Sequence, residues 1–283
     1  MSLLSRLGAK LAGQWIAGVD EQAAIDVARK INSEKKGVIL NYLGEGFRDE
    51  SAVQKSVKIY LSLLREMHSK KIRGSIAVKP SQLGMLLGPG EFYKNYMNIA
   101  GHARGFGIFV WLDMEEWGSV QGSVDAYVKA LGRLDNIGIC LQAKLKRSYD
   151  DARRILRSRN GAIRIVKGAY FEPGSKSYPD RESVRKNYLR ILEMAIKRTS
   201  RIMVATHDDY LIYKAVSAEK KYGKRIMFGM LKGIRGRLAG RLADSGEDMN
   251  VYVPFGEEWP KYSRRRLMEE GHALLLIRSI FQQ

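Results

Sequence analysis

The chain contains a single cysteine in 283 residues, Cys140, set inside the apolar run Ile137-Gly138-Ile139-Cys140-Leu141. That scarcity excludes a disulfide frame and a cysteine metal site, and a reducing, cytoplasmic compartment is expected. No stretch approaches the roughly 18 uncharged apolar residues that a membrane-spanning helix needs. A signal-peptide core is also missing, because Arg6 and Lys10 interrupt the apolar N-terminus and no small-residue cleavage site follows. No proline-rich or low-complexity linker divides the chain, so one domain is expected. Acidic residues are scarce, 30 against 49 Lys and Arg, and the resulting net charge of +19 implies an anionic partner or surface. Hydrophobic residues, at 45%, suffice for a large core and exclude a disordered chain.

From about residue 37 onward, short β-rich runs alternate with longer amphipathic stretches. The predicted strands are Gly37–Gly44, Gly74–Leu83, Gly107–Met114, Asn136–Ala143, Ala162–Gly168, Arg201–Asp208, Arg225–Leu231 and Asn250–Gly256. Between them, apolar residues at spacings of three and four predict helices such as Ser51–Lys71, Glu91–Arg104, Gly118–Arg133 and Arg181–Lys197, with a last helix over Tyr262–Phe281. Parallel strands need crossovers, and eight strand–helix units favour a closed (βα)8 TIM-like barrel of the α/β class. An open doubly wound sheet competes, but no Gly-rich dinucleotide loop follows the first strand. Residues 1–36 are expected to add one or two N-terminal helices to a barrel over 37–283, all as a single domain.

In a barrel the C-terminal strand ends converge on one face, where active sites lie. Those ends carry Lys79, Asp113, Gln142, Lys167, Thr206 and His207, with Tyr252 in the last strand. Two cations, a carboxylate, an amide and an imidazole suit a ligand with anionic groups and a polar heterocycle. Gly168 and Ala169 end the fifth strand, where missing side chains allow a cofactor close to the backbone, although an ordinary tight turn also uses glycine. Arg164 lies within that strand and needs a carboxylate or a ligand as partner. Arg264-Arg265-Arg266 is expected to open the last helix, where cations oppose the dipole and call for an anion. Beside Trp259 and Tyr262 this cluster suits bidentate recognition of a carboxylate. A charge run is otherwise usually a solvated face.

Taken in order, several motifs resemble one family. They are Asn41-Tyr42-Leu43-Gly44-Glu45, Val78-Lys79-Pro80-Ser81-Gln82-Leu83-Gly84, Leu112-Asp113-Met114-Glu115, Gln142-Ala143, the Arg164–Tyr170 run, Ala205-Thr206-His207-Asp208, Tyr252-Val253-Pro254-Phe255-Gly256 and Arg265-Arg266-Leu267-Met268-Glu269. From about Asn41 to His272 the chain is similar to monofunctional proline dehydrogenases and to the matching domain of bifunctional proline-utilisation flavoproteins. The resemblance implies a distorted (βα)8 barrel that holds FAD non-covalently and transfers a hydride from L-proline to it, giving Δ1-pyrroline-5-carboxylate. It also implies site roles. Gln142 would bond the flavin pyrimidine edge, with Arg164 and Val166 near the reactive nitrogen. Met114, Lys167, Gly168, Ala169, Thr206 and His207 would complete the cofactor site. Arg265 and Arg266 would bind the proline carboxylate, Lys79 and Asp113 would form an ion pair beside it, and Tyr170, Leu231 and Tyr252 would cover the ring. Asp113 and Arg164 are the catalytic candidates, Arg164 by stabilising negative charge on the reduced flavin. No metal site is implied. Tyr252 would favour proline over 4-hydroxyproline by crowding the carbon that carries the hydroxyl. The segments Phe255-Gly256-Glu257-Glu258-Trp259 and Gly229-Met230-Leu231-Lys232-Gly233 depart from the family pattern, as does the lack of a long N-terminal arm.

Two other readings stay open at this level. A Schiff-base aldolase-like barrel would use Lys167 or Lys79 as nucleophile and would be colourless. A nucleic-acid-binding module would explain the charge, including the Lys144–Arg159 stretch. Its basic residues are spread over helix faces without an aromatic-plus-basic motif, so no specific nucleic acid is expected. A quinone or other electron acceptor is implied by the family. Peripheral contact with an anionic leaflet would use the excess charge and an apolar foothold of Leu3, Leu4, Leu7 and Leu11.

Overall fold

A computed structural model describes residues 13–199 and 201–268, the side chains of 264–268 excepted. Eight parallel strands close into one barrel in sequential order, β1 (Gly37–Tyr42), β2 (Gly74–Val78), β3 (Phe109–Leu112), β4 (Ile137–Gln142), β5 (Ile163–Val166), β6 (Ile202–Ala205), β7 (Met227–Leu231) and β8 (Asp248–Phe255), with β8 pairing back onto β1. Helix α1 (Glu21–Ser33) precedes the barrel. Seven crossover helices follow: α2 (Glu50–Ser69), α3 (Pro89–Gly105), α4 (Trp117–Ala130), α5 (Ser148–Ile155), α6 (Arg181–Arg198), α7 (Asp209–Tyr222) and α8 (Gly236–Asp244). Helix α9 (Trp259–Met268) comes after the last strand.

The expected strands are all present; the first seven are shorter than expected, and β8 starts two residues earlier and ends one sooner. β2 stops at Val78 because Pro80, which has no N–H for the ladder, starts a one-turn 3-10 helix over Pro80–Gln82. The first-turn caps are legible too: Asp20, Asp49 and Asp180 each accept a backbone N–H at the start of α1, α2 and α6. The last helix begins earlier than the sequence suggested. Trp259-Pro260 starts it, proline being well suited to a first turn, and Glu257 and Glu258 lie just before its positive end. Arg264, Arg265 and Arg266 therefore fall inside α9 instead of opening it.

Alternation along the strands separates two apolar layers. Val38, Leu40, Val110, Leu112, Ile163 and Ile165 pack outward against the helices. Ile39, Ala77, Trp111, Ala162 and Met203 fill the barrel interior with Tyr252 packed against them. Trp111 fits because its neighbour on β4 is Gly138, where a β-carbon would stand 2.4 Å from the indole. The same alternation continues past the apolar layer and turns Lys79, Asp113, Gln142 and Arg164 toward the mouth.

Candidate active site

Arg164 is the centre of the mouth. It is 4% exposed, and its Nη2 is ion-paired with Asp113 Oδ1. Its guanidinium lies 5.6 Å from the Trp111 ring centroid and 5.5 Å from that of Tyr252. The Tyr252 hydroxyl donates to Asp113 Oδ2 at 2.7 Å, which leaves the carboxylate engaged through both oxygens. Burial lowers the Arg164 pKa to about 10, so the group is still cationic at neutral pH. The partner required by its position in the strand is thus present, yet Nε and Nη1 are buried with no hydrogen-bond partner. Leaving charged donors unmet costs several kcal/mol in order of magnitude, approximately half of total domain stability, so an acceptor is expected to complete this group.

A second orphan lies on the neighbouring strand. Gln142 donates through Nε2 to the Glu115 carbonyl at 2.8 Å, and its Oε1 is buried without a partner. Gly168, at φ +111°, passes so close that a β-carbon there would sit 3.0 Å from this oxygen, in a left-handed region that favours glycine. The strand-end turn thus exposes backbone beside an unmet amide.

The β2–β3 register sets Lys79 beside Asp113, as expected from the two strand ends. The expected ion pair between them is not formed. Lys79 Nζ pairs instead with Glu45 Oε2 at 3.0 Å, because Arg164 already occupies Asp113 and the loop after β1 carries Glu45 over the neighbouring strand end. The Tyr170 hydroxyl reaches the same Glu45 oxygen at 3.5 Å. Glu115 is buried as well; burial raises its pKa, Lys79 opposes that rise, and Ser81 meets the carboxylate through N–H at 2.7 Å and hydroxyl at 2.6 Å. Leu43, Gly44, Glu45, Lys79, Glu258, Lys261 and Tyr262 line a small cleft here.

On the far side, Asp208 at the end of β6 gathers cations. Its side chain is fully buried and accepts from Lys167 at 3.1 Å, Arg181 at 3.2 Å and Arg185 at 2.7 and 3.0 Å. Burial acts to raise this carboxyl, but Arg185, Lys167 and Arg181 outweigh it and hold the group far below the usual range. Thr206 Oγ1 accepts the Asp208 N–H at 3.1 Å. His207 Nε2 accepts from Leu231 N–H at 3.3 Å, and Arg235 holds the His207 carbonyl at 2.6 Å. Met114 is buried and Val166 half-buried at the same mouth, while Ala169 is exposed. The side chains of Arg265 and Arg266 lie outside the described residues. Sequence reasoning missed Glu45, Asp208, Arg181 and Arg185 as parts of the site; Glu45 was legible only as the end of a motif, and the two arginines as ordinary helix charges.

A family model described as proline dehydrogenase matches residues 24–276. The chain is 31% identical to proline dehydrogenase of Deinococcus radiodurans, covering 92% of this chain and 86% of that one. It is 29% identical to proline dehydrogenase 2 of Bacillus subtilis, covering 91% and 86%. Among solved structures, proline utilization A from Bdellovibrio bacteriovorus superposes with a TM-score of 0.84 at 20% identity over 92% of this chain. The chain spans 32% of the length of that larger protein, and the likeness is one of fold.

Proposed function

The chain belongs to the proline dehydrogenase family, and on that premise we propose that it oxidises L-proline to Δ1-pyrroline-5-carboxylate, the first step of proline catabolism, using FAD bound at the barrel mouth. The observation that carries the cofactor assignment is the pair of unmet groups, the Arg164 Nε–H and Nη1 donors and the Gln142 Oε1 acceptor, the latter beside a backbone opened by Gly168. A flavin ring edge offers acceptors and a donor of matching kind, so the residues fit. Gln142 would hold the pyrimidine edge, with Arg164 and Val166 by the reactive nitrogen, and Met114, Lys167, Gly168, Ala169, Thr206 and His207 would complete the site. When bound, FAD supplies the acceptor for the hydride that leaves the ring carbon beside the proline nitrogen.

The protein's own part is orientation and charge. Arg265 and Arg266 take the proline carboxylate, a task suited to planar forked donors. Tyr252, fixed by Asp113, forms a dry wall against the ring with Leu231 and Tyr170. As the hydride leaves, a C=N bond forms and the amine proton is lost. Arg164, held cationic against Asp113, is placed to stabilise negative charge across the mouth. Lys79, its charge balanced by Glu45, holds the loop after β1 against the same cleft.

Anaerobic L-proline should bleach the yellow purified protein, as dithionite does. A flavin that stays oxidised with proline, yet is reduced by another amine or hydroxy acid, rejects the substrate. A colourless protein returns the Schiff-base reading, which the ion pairs of Lys79 and Lys167 oppose because that chemistry needs a free amine. Arg265→Met and Arg266→Met should each weaken proline binding by about 2 kcal/mol while flavin content survives.

The helical segment before residue 37 and the barrel act as one domain in this reading. Electrons would pass on to a quinone or another acceptor. The compartment is cytoplasmic, with peripheral contact to an anionic leaflet. The basic excess supports that contact: residues 144–225 contain 22 Lys and Arg against 9 Asp and Glu. No helix among the described residues is long and apolar enough to cross a membrane, and the proposed foothold of Leu3, Leu4, Leu7 and Leu11 lies outside the described residues. Salt-sensitive sedimentation with anionic vesicles, and none with neutral ones, is the expected result.

A further inference from the structure

Residues 13–18 run along the rim of the barrel mouth and are fastened at several points. Lys232, just after β7, donates to the carbonyls of Gly13 and Gln14 at 2.7 and 2.8 Å. Gly233 lets the two segments touch, since a β-carbon there would lie 2.2 Å from the Gln14 carbonyl oxygen. Ala17 N–H donates to the Pro254 carbonyl at 2.8 Å, and Gly256 N–H to that of Gly18 at 2.9 Å. Trp15 is 5% exposed in an apolar cluster with Ile16, Leu43, Ile234 and Tyr262, against which Leu231 and Trp259 also pack. Its indole Nε1–H donates to Ser263 Oγ at 2.8 Å, across 248 residues of sequence.

Ser263 lies in α9, the helix that also carries Arg265 and Arg266. Among the described residues, this bond ties α9 to the rim in addition to the apolar packing of Trp259 and Tyr262. Trp15 alone, among residues 13–18, joins that helix by a buried polar bond among the described residues, and buried hydrogen bonds fix geometry where apolar packing permits sliding. We infer that Trp15 is a positioning residue for substrate recognition: through its bond to Ser263 it sets the seat of α9, and with it the reach of Arg265 and Arg266. The inference rests on the carboxylate reading given above.

The test uses the flavin-loaded enzyme and four variants. Trp15→Phe keeps a ring but loses the donor; Ser263→Ala loses the acceptor; Ser263→Thr retains a hydroxyl. Each loss should raise KM for proline by about three- to tenfold, the range for one buried neutral hydrogen bond. The double variant Trp15→Phe with Ser263→Ala should rise no further, because both changes break the same bond. Flavin-to-protein ratio and kcat should stay within about twofold, and Ser263→Thr should restore KM, as no general loosening of the fold would. An unchanged KM, or kcat and flavin content falling in step with affinity, overturns the inference. If Arg265→Met weakens proline binding and Trp15→Phe does not, the positioning role of Trp15 alone is rejected. If Arg265→Met and Arg266→Met both leave binding unchanged, the carboxylate reading falls and takes the role of Trp15 with it.

Discussion

The two ends of the barrel are built from the same eight strands and treat buried polar groups differently. At the base, the Tyr127 hydroxyl accepts the Ala162 N–H at 3.0 Å and donates to the Ala162 carbonyl at 3.1 Å. The half-buried Asn32 side chain, close to solvent, likewise accepts from Arg73 N–H and donates to the Lys36 and Arg73 carbonyls at 2.8 to 3.0 Å. At the mouth, Arg164 keeps two unmet donors and Gln142 an unmet acceptor. The base has orphans too, but of a different kind. Asn136 Oδ1 is a neutral acceptor, and Glu247 Oε2 belongs to a carboxyl that shares its site with Glu219. What the base leaves unmet is a neutral amide oxygen and a carboxyl of a proton-sharing pair, whereas the mouth leaves two donors of a buried cation unmet. That is the division of labour expected of an α/β barrel, with stability at one end and chemistry at the other.

The division can be broken most visibly at Arg164. Arg164→Met should lower turnover by about 100-fold or more, the scale for removing a preorganised charge stabiliser. Asp113 would be left buried with only Tyr252, so some thermal stability should be lost as well; turnover within tenfold of the parent enzyme would remove Arg164 from the chemistry. Tyr127→Phe is the converse change at the base. It strips the Ala162 N–H of its partner, while the Ala162 carbonyl keeps the Ile139 N–H at 3.0 Å, and should cost about 1–3 kcal/mol in urea unfolding, with kcat and KM unchanged. A variant that unfolds like the parent but loses activity would reverse the comparison.

The smallest effect sharpens the contrast through pH. Burial first, and then Glu247, raise the Glu219 carboxyl to about 7, while Ile226 N–H donates to it at 2.7 Å. A carboxyl whose folded pKa exceeds its unfolded value of 4.5 binds protons on folding between those values. Its contribution is therefore most favourable below pH 4.5, declines as pH rises to about 7, and is flat above. Glu219→Gln should remove that decline and stabilise the protein at pH 8 by on the order of 1 kcal/mol, with little change at pH 4.5. Melting temperatures at the two pH values check this. An equal shift at both would mean that packing, and not the shared proton, sets the effect of this residue.

Much of the fold was legible because hydrophobic periodicity is local. Eight runs of strand character separated by helical stretches gave the barrel, and the convergence of its C-terminal strand ends put Lys79, Asp113 and Gln142 on one face. Even the need for a partner at Arg164 followed from a charge in an apolar strand. Which partner it takes did not. Lys79 and Asp113 are adjacent in register, yet each is paired elsewhere, because the choice depends on where the loop after β1 delivers Glu45 and on Arg164 reaching across the barrel from β5.

By itself, then, the sequence determined the order of the elements, the closed parallel sheet and the strand ends from which chemistry is done. Only the tertiary structure decided the pairings: Glu45 on Lys79, three cations on Asp208, and Trp15 on Ser263. The physical reason is range. Side-chain periodicity and capping are set by neighbours a few residues away, whereas an ion pair or a buried hydrogen bond between distant residues depends on the closed barrel, which brings residues 13–18, α9 and the loops to the same rim.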